Sequence, residues 1–403
     1  MTAASKMFPP PFRLINAFGR VTQAKRVNRF QFEERTVLGE AMRQVGLTDF
    51  GDPQFEDGLQ ALSTAAEQDA SLHFLGRISL RRSVVESLIN RLLLIEAQKR
   101  KPEVFDAPLI PPLIVLGLPR SGTTYLHRLL AEDPAHHAPP FWELVRPLPR
   151  PGKRDDRREV ISQELVWRKR VAPELDRKHF ITVDTPEECL FMLGATFEAL
   201  LFWVLAPVQG YIEWYMTQDH TRKYQEYRAW LQVLQAATPG KRLVMKAPEH
   251  TGALAALLHA VPEAQIVQTH RDPVRAYASF NSLIATTHAT SSTHANVKRM
   301  AATNLQLLET EITHNLAARE ASPEVVHDVR YDALVADPIK TVQGVYNRFG
   351  FNPSDAYQAR LAAYVQEHPR SKHGAHRYAL EDYGMSDAHV RTRLTAYYKR
   401  FDL

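Results

Sequence analysis

Residues 113–124 read LIVLGLPRSGTT, and this stretch decides the fold. Leu113 to Gly117 is an unbroken apolar run bounded by Pro112 and a glycine-containing turn, the pattern of a strand buried on both faces of a parallel sheet. The turn then feeds a helical pattern that starts at Thr123 and carries Leu126, Leu129 and Leu130 on one side. A strand–turn–helix of this kind aims backbone N–H groups and the positive end of a helix at one point, which makes a phosphate or sulfate site. The spacing is that of G-x-x-x-x-G-K-[ST], with Thr123 where the lysine stands. Without that lysine, ATP or GTP hydrolysis loses a main contact to the β- and γ-phosphates. The loop carries its positive charge at Arg120 instead. Arg120, Ser121, Gly122, Thr123 and Thr124 are therefore the candidate anion-binding residues.

Strands and helices alternate downstream. Short apolar strands are expected at 243–246, 264–270 and 325–330, with helices at 250–260, 274–285, 296–318 and 338–349. Residues 286–296 are polar and read as a loop or a helix start. Strand–helix alternation predicts an α/β fold, a central parallel β-sheet flanked by helices. Residues 12–101 read as helical, with Val84, Val85, Leu88, Ile89, Leu92 and Leu93 at helical spacing until Pro102 breaks the pattern. The expected organisation is a helical N-terminal extension over 1–107 and an α/β domain over 108–403, with a helical insertion at about 159–237.

These motifs resemble those of the sulfotransferases, which use 3′-phosphoadenosine 5′-phosphosulfate (PAPS). PRSGTT after a strand looks like the family's 5′-phosphosulfate loop. Arg271, at the end of the strand AQIVQTH, and Ser279, eight residues on, match the pair that grips the 3′-phosphate. Residues 330–338, RYDALVADP, resemble the segment whose Tyr contacts adenine, so Tyr331 takes that role, with Asp332 in place of the family's Glu. Lys246 ends the strand LVMK where the family carries a basic residue near the transferred sulfuryl group. The C-terminal stretch 370–385 is dense in cations, and the resemblance implies a lid there with Lys372 and Arg377 on the donor. The version with Arg in the loop and KAPEH after the second strand looks like the bacterial group related to tyrosylprotein sulfotransferases. The resemblance implies a P-loop-like fold and transfer of a sulfuryl group to a hydroxyl acceptor, less readily an amine, with PAPS as donor.

In-line transfer of a sulfuryl group demands positioning and stabilisation of charge on the leaving 5′-phosphate oxygen. The family needs no metal for this, and the seventeen histidines fall in no ligand spacing such as H-E-x-x-H. Arg120 and Lys246 are the expected catalytic cations. Two residues compete for the acceptor's proton. His250 lies four residues past Lys246 and has a side chain whose ordinary pKa suits the task. Glu143, in FWELVRP, occupies the region where tyrosylprotein sulfotransferases carry a catalytic Glu; its plainer reading is a surface carboxylate or a partner of Arg146. The His that cytosolic members carry two residues after the lysine is Pro248 here. The competing class is a nucleotide kinase or NTPase with a degenerate phosphate loop. It requires a carboxylate at a strand end to hold Mg²⁺, and only Asp328 within VVHDVR offers one.

Composition bounds the rest. A chain of 403 residues, 44% hydrophobic and 24% charged, buries a large core and is neither polytopic nor wholly disordered. One cysteine, Cys189, excludes a disulfide scaffold within one chain and fits a cytoplasmic setting. The net charge of +5 favours anionic ligands but is too small to point to nucleic acid. The first 32 residues hold six Lys or Arg and no carboxylate. They read as a surface segment packed on the body or on a second copy of the chain, and alternatively as a basic arm touching a membrane surface. Residues 189–206 are apolar but short, and Glu198 interrupts them, so they read as core or as the wall of an apolar acceptor pocket, together with Tyr211, Trp214 and Tyr215.

Overall fold

The computed structural model describes residues 31–368 and 380–403, together with Phe12, Ile15 and Asn16. Lys372, Arg377 and the basic N-terminal arm lie outside the described residues, and so does the greater part of the expected lid.

Five parallel strands form the sheet: β1 (Leu113–Gly117), β2 (His136–His137), β3 (Arg242–Lys246), β4 (Gln265–His270) and β5 (Val326–Arg330), in the order β2-β3-β1-β4-β5. Strand β1 is central, with β3 and β2 on one side and β4 and β5 on the other, so the ends of β1, β3 and β4 open a crevice where strand order reverses. Ligands of open α/β sheets bind at such switch points. All five residues of β1 are buried, as a central strand with both faces covered requires. Register pairs Val115 with Lys246 and Gly117 with Thr269, which brings the phosphate loop, Lys246 and the end of β4 to one edge.

The helix at Glu34–Val45 packs on those at Phe55–Gln68 and Phe74–Arg100. They share one continuous core with Ile114, Leu116, Met245 and Ile266. The other face, with Val115, Val244, Val267 and Val329, packs against the helices Thr123–Ala131, Pro338–Phe349 and Asp355–Glu367. The expected strands end within a residue of the observed ones. Two expectations need correction. The polar stretch after residue 285 continues the helix, which runs Pro273–Ser291 because Ser282, Thr286, Thr287 and His288 are buried on it. The helix expected at 250–260 is shorter, a 3₁₀ turn at Pro248–His250 and then Leu254–Ala260.

The apolar stretch after Cys189 breaks into Leu190–Leu193, a 3₁₀ turn and Leu201–Leu205. Phe197, Phe202, Trp203, Tyr211 and Tyr215 are fully buried there, so these side chains are core. No helix among the described residues is long and apolar enough to cross a membrane.

Candidate active site

The phosphate loop is built from unusual backbone. Gly117 has φ +141° and Gly122 φ +101°. A Cβ on Gly117 would lie 2.5 Å from the Thr269 carbonyl oxygen, and one on Gly122 would lie 2.9 Å from the Tyr331 ring. Both conformation and space therefore require glycine. Arg120 has φ +68°, a left-handed conformation that costs a non-glycine residue free energy and recurs at functional sites. Its carbonyl is held by Arg271, whose guanidinium donates to it at 2.8 Å.

The Ser121 hydroxyl was a candidate ligand, but it is buried and used inside the loop. It donates to the Leu118 carbonyl at 2.6 Å and meets Thr269 Oγ1 at 2.6 Å. The Gly117 N–H is taken by Thr251 Oγ1 at 2.9 Å. These bonds fix the loop's path and point the helix Thr123–Ala131 at the crevice, and no side chain caps its first turn. Its leading N–H groups therefore suit an anion.

Four residues predicted to bind the donor converge beside this loop. Arg120 donates from Nε to Ser279 Oγ at 3.1 Å. The Arg271 guanidinium lies 4.3 Å over the Tyr331 ring. Tyr331 in turn abuts Gly122. Two cations, a hydroxyl and an aromatic face thus come from the phosphate loop, the end of β4, the helix after it and the end of β5. Arg with its planar fork suits a phosphate, and a ring beside it suits a base. The helix bearing Ser279 begins at Asp272, whose carboxylate caps the Val274 N–H at 2.8 Å and also accepts from Tyr398 and Arg391.

Lys246 reaches the loop from β3. Its side chain is fully buried, and Nζ donates to Thr124 Oγ1 at 3.3 Å and to Glu188 Oε1 at 2.8 Å. The backbone N–H of Cys189 donates to the Lys246 carbonyl at 2.9 Å, which ties the segment 187–189 to the strand end.

The two candidate bases fare differently. His250 points away from the crevice, into the core. It is fully buried, Nδ1 is hydrogen-bonded to the Tyr224 hydroxyl at 2.7 Å, and its ring packs on Tyr227. Burial pushes its pKa down to about 3, with the nearby Lys223 ammonium adding to the effect. A base must reach the acceptor's proton, and this imidazole has no route to one. The reading of His250 as a base is therefore corrected to a core histidine. Glu143 sits on the short helix Phe141–Val145, largely buried, with Oε2 2.8 Å from His137 Nε2. Arg146 bonds Glu86 and Glu164 and leaves Glu143 to His137.

Asp328, the carboxylate an NTPase would need for Mg²⁺, is fully engaged. It accepts from His270 at 2.7 Å and bidentately from Arg319 at 2.9 and 2.7 Å. Burial alone would raise its pKa, yet those partners hold it down to about 2. Among the described residues no group of His, Cys, Asp and Glu is arranged to hold a metal ion.

Residues 111–355 match the model of the sulfotransferase family. The chain belongs to that family. It is a transferase with a P-loop-like α/β fold and a helical N-terminal region, and the fold agrees over nearly its whole length with solved sulfotransferases. The crystal structure of sulfotransferase STF1 from Mycobacterium tuberculosis superposes with a TM-score of 0.78 at 31% identity, covering 89% of this chain and 97% of that one. Sulfotransferase STF9 from Mycobacterium avium gives 0.82 at 26% identity, covering 91% and 96%. The omega-hydroxy-beta-dihydromenaquinone-9 sulfotransferase Stf3 of Mycobacterium bovis is 22% identical over 322 residues, 69% of this chain and 73% of that protein.

Sequence reasoning missed Glu187 and Glu188 of this sulfotransferase. Glu187 is buried beside His179 and Arg128, at 3.5 and 4.0 Å. Burial would raise its pKa, but His179, Lys246 and Arg128 hold it down to about 2. Two carboxylates in Thr-Pro-Glu-Glu-Cys, at the mouth of an apolar run, were the available signal. Nothing in the spacing says that this segment crosses the end of β3.

Proposed function

We propose that the chain transfers the sulfuryl group of PAPS to the hydroxyl of a lipid-like acceptor. The observation that carries this reading is the convergence of Arg120, Arg271, Ser279 and Tyr331 beside the phosphate loop. An ATP site has no need of a second anion grip at the far end of the adenosine, whereas a 3′-phosphate does. Arg271 and Ser279 bind that 3′-phosphate, Tyr331 packs against the adenine, and Arg120, Thr123, Thr124 and the first-turn N–H groups hold the 5′-phosphosulfate. The donor supplies an activated sulfuryl group. Lys246 neutralises charge that grows on the leaving oxygen as the acceptor oxygen bonds to sulfur. Glu143, oriented by His137, accepts the hydroxyl proton. The protein works in the cytoplasm.

The acceptor class rests on the relative named for a hydroxylated menaquinone derivative. A long isoprenoid alcohol is therefore the first acceptor to offer. The test is transfer of ³⁵S from labelled PAPS to a panel of alcohols, comparing a long-chain isoprenoid alcohol with a phenol and a sugar. The expected result is label on the isoprenoid product, with Glu143→Gln lowering turnover about 100-fold or more. Label on the sugar alone, or on the phenol alone, contradicts the acceptor class.

A further inference from the structure

The site contains an ion pair that the reaction scheme above leaves without a role. Lys246 has no exposure to solvent, yet it must be charged to steady a leaving oxygen. The groups around it come from three elements. Thr124 and His127 lie on the helix after the phosphate loop; Glu187, Glu188 and Cys189 lie on the segment that crosses the end of β3. His127 is fully buried, bonded to the Val244 carbonyl and held near pKa 3, so it is neutral. Burial pushes the Cys189 thiol up to about 12, so it is neutral as well. Glu187 is ionised but faces His179 and Arg128. Glu188 alone among the described carboxylates makes an ion pair with Nζ, and its own side chain remains 18% exposed.

We propose that Glu188 is a positioning residue that holds the Lys246 ammonium aimed across Thr124 at the phosphate loop. This rests on the donor reading given above. The physical argument is that a buried ammonium with no carboxylate bonded to it is left with part of its desolvation uncompensated and with no fixed direction. The Glu188 carboxylate removes that penalty in the donor-free enzyme. The Cys189–Lys246 backbone bond fixes the distance between the two segments, so the carboxylate holds Nζ in one direction. When the donor is bound, its anionic oxygens join the same ammonium. Glu188 touches no reacting atom in this role; it acts through Lys246.

The test is PAPS binding measured by calorimetry at pH 7, which needs no acceptor. Wild type, Glu188→Gln, Lys246→Met and the double variant are compared, with thermal melting of each. Binding to Glu188→Gln is expected to weaken by about tenfold relative to wild type, because Nζ is no longer held toward the phosphate loop. Lys246→Met and the double variant are expected to bind alike, so that the Glu188 effect vanishes without Lys246. The double variant is expected to melt above Glu188→Gln, since it no longer buries an ammonium that has lost its bonded carboxylate. An affinity of Glu188→Gln equal to or above that of wild type would overturn the proposal. So would a Glu188 effect that persists unchanged without Lys246. A wild type that binds no PAPS contradicts the donor reading instead, and the melting comparison then still reports the ion pair.

Discussion

Lys-Ala-Pro-Glu-His, residues 246–250, ends β3 with two charged regions that face opposite ways. Lys246 turns toward the crevice, where its partners are Thr124 and Glu188. Glu249 and His250, on the next 3₁₀ turn, face the core. Glu249 Oε1 accepts from Lys223 at 2.6 Å, from the Leu200 N–H at 3.0 Å and from the Tyr215 hydroxyl at 3.2 Å. Glu311 lies near enough that burial and the Glu249 charge push its pKa well up. The same density of titratable groups therefore serves two ends. On the crevice side the charges lie at a strand switch point beside strained backbone and helix-terminal N–H groups. On the core side they neutralise one another and fix the packing of the helix Thr221–Ala237 on the strand end. A histidine next to a functional lysine in sequence is no closer to the chemistry when a proline turn separates them.

The comparison breaks most visibly at the core pair. Lys223 and Glu249 are both fully buried, so removing one leaves the other charged and unpaired. Glu249→Gln is expected to cost about 3–5 kcal/mol of stability, read by urea unfolding. Its affinity for 3′,5′-adenosine bisphosphate, measured where the variant is folded, should stay within about threefold of wild type. A large loss of affinity with stability intact would move Glu249 to the crevice side.

Acid sharpens the same contrast. His250 and His127 are both held near pKa 3 by burial, below the value of about 6.5 they regain on unfolding. The unfolded chain then binds protons that the native chain refuses. Their contribution is complete above pH 6.5 and is lost as pH falls toward 3. By pH 5 each accounts for roughly 2 kcal/mol. His250→Gln should start less stable and lose less between pH 7 and 5. An acid slope unchanged in that variant would mean that the ring is protonated in the native state.

The smallest effect belongs to the Tyr224 hydroxyl. Tyr224→Phe leaves His250 Nδ1 without its hydrogen-bond partner in a dry site, at an expected cost of about 1–2 kcal/mol, with PAPS binding unchanged. A change in donor affinity there would again erase the division between the two sides.

Much of this was legible in the sequence, for definite reasons. The strand at 113–117 is central and buried on both faces, so an unbroken apolar run marks it. Gly117 and Gly122 announce the loop because their backbone and close neighbours allow no other residue. Arg271 and Ser279 lie eight apart on one strand end and its following helix, so local chain geometry alone sets them on one side of the crevice. The direction of His250 was hidden, since it depends on a 3₁₀ turn where a regular helix was expected and on the distant Tyr224. Glu188 was hidden for the same reason, because its partner lies 58 residues away. The two-residue strand β2 is too short to carry any alternation.

The most direct test of the donor reading is a thermal shift with 3′,5′-adenosine bisphosphate, set against ATP and GTP with Mg²⁺, on wild type and Arg271→Ala. At about 100 times its Kd a ligand stabilises the native state by about 2.7 kcal/mol, a readily measured rise in Tm. The account predicts that rise with the bisphosphate and its loss in Arg271→Ala. A rise with ATP or GTP and none with the bisphosphate would contradict it.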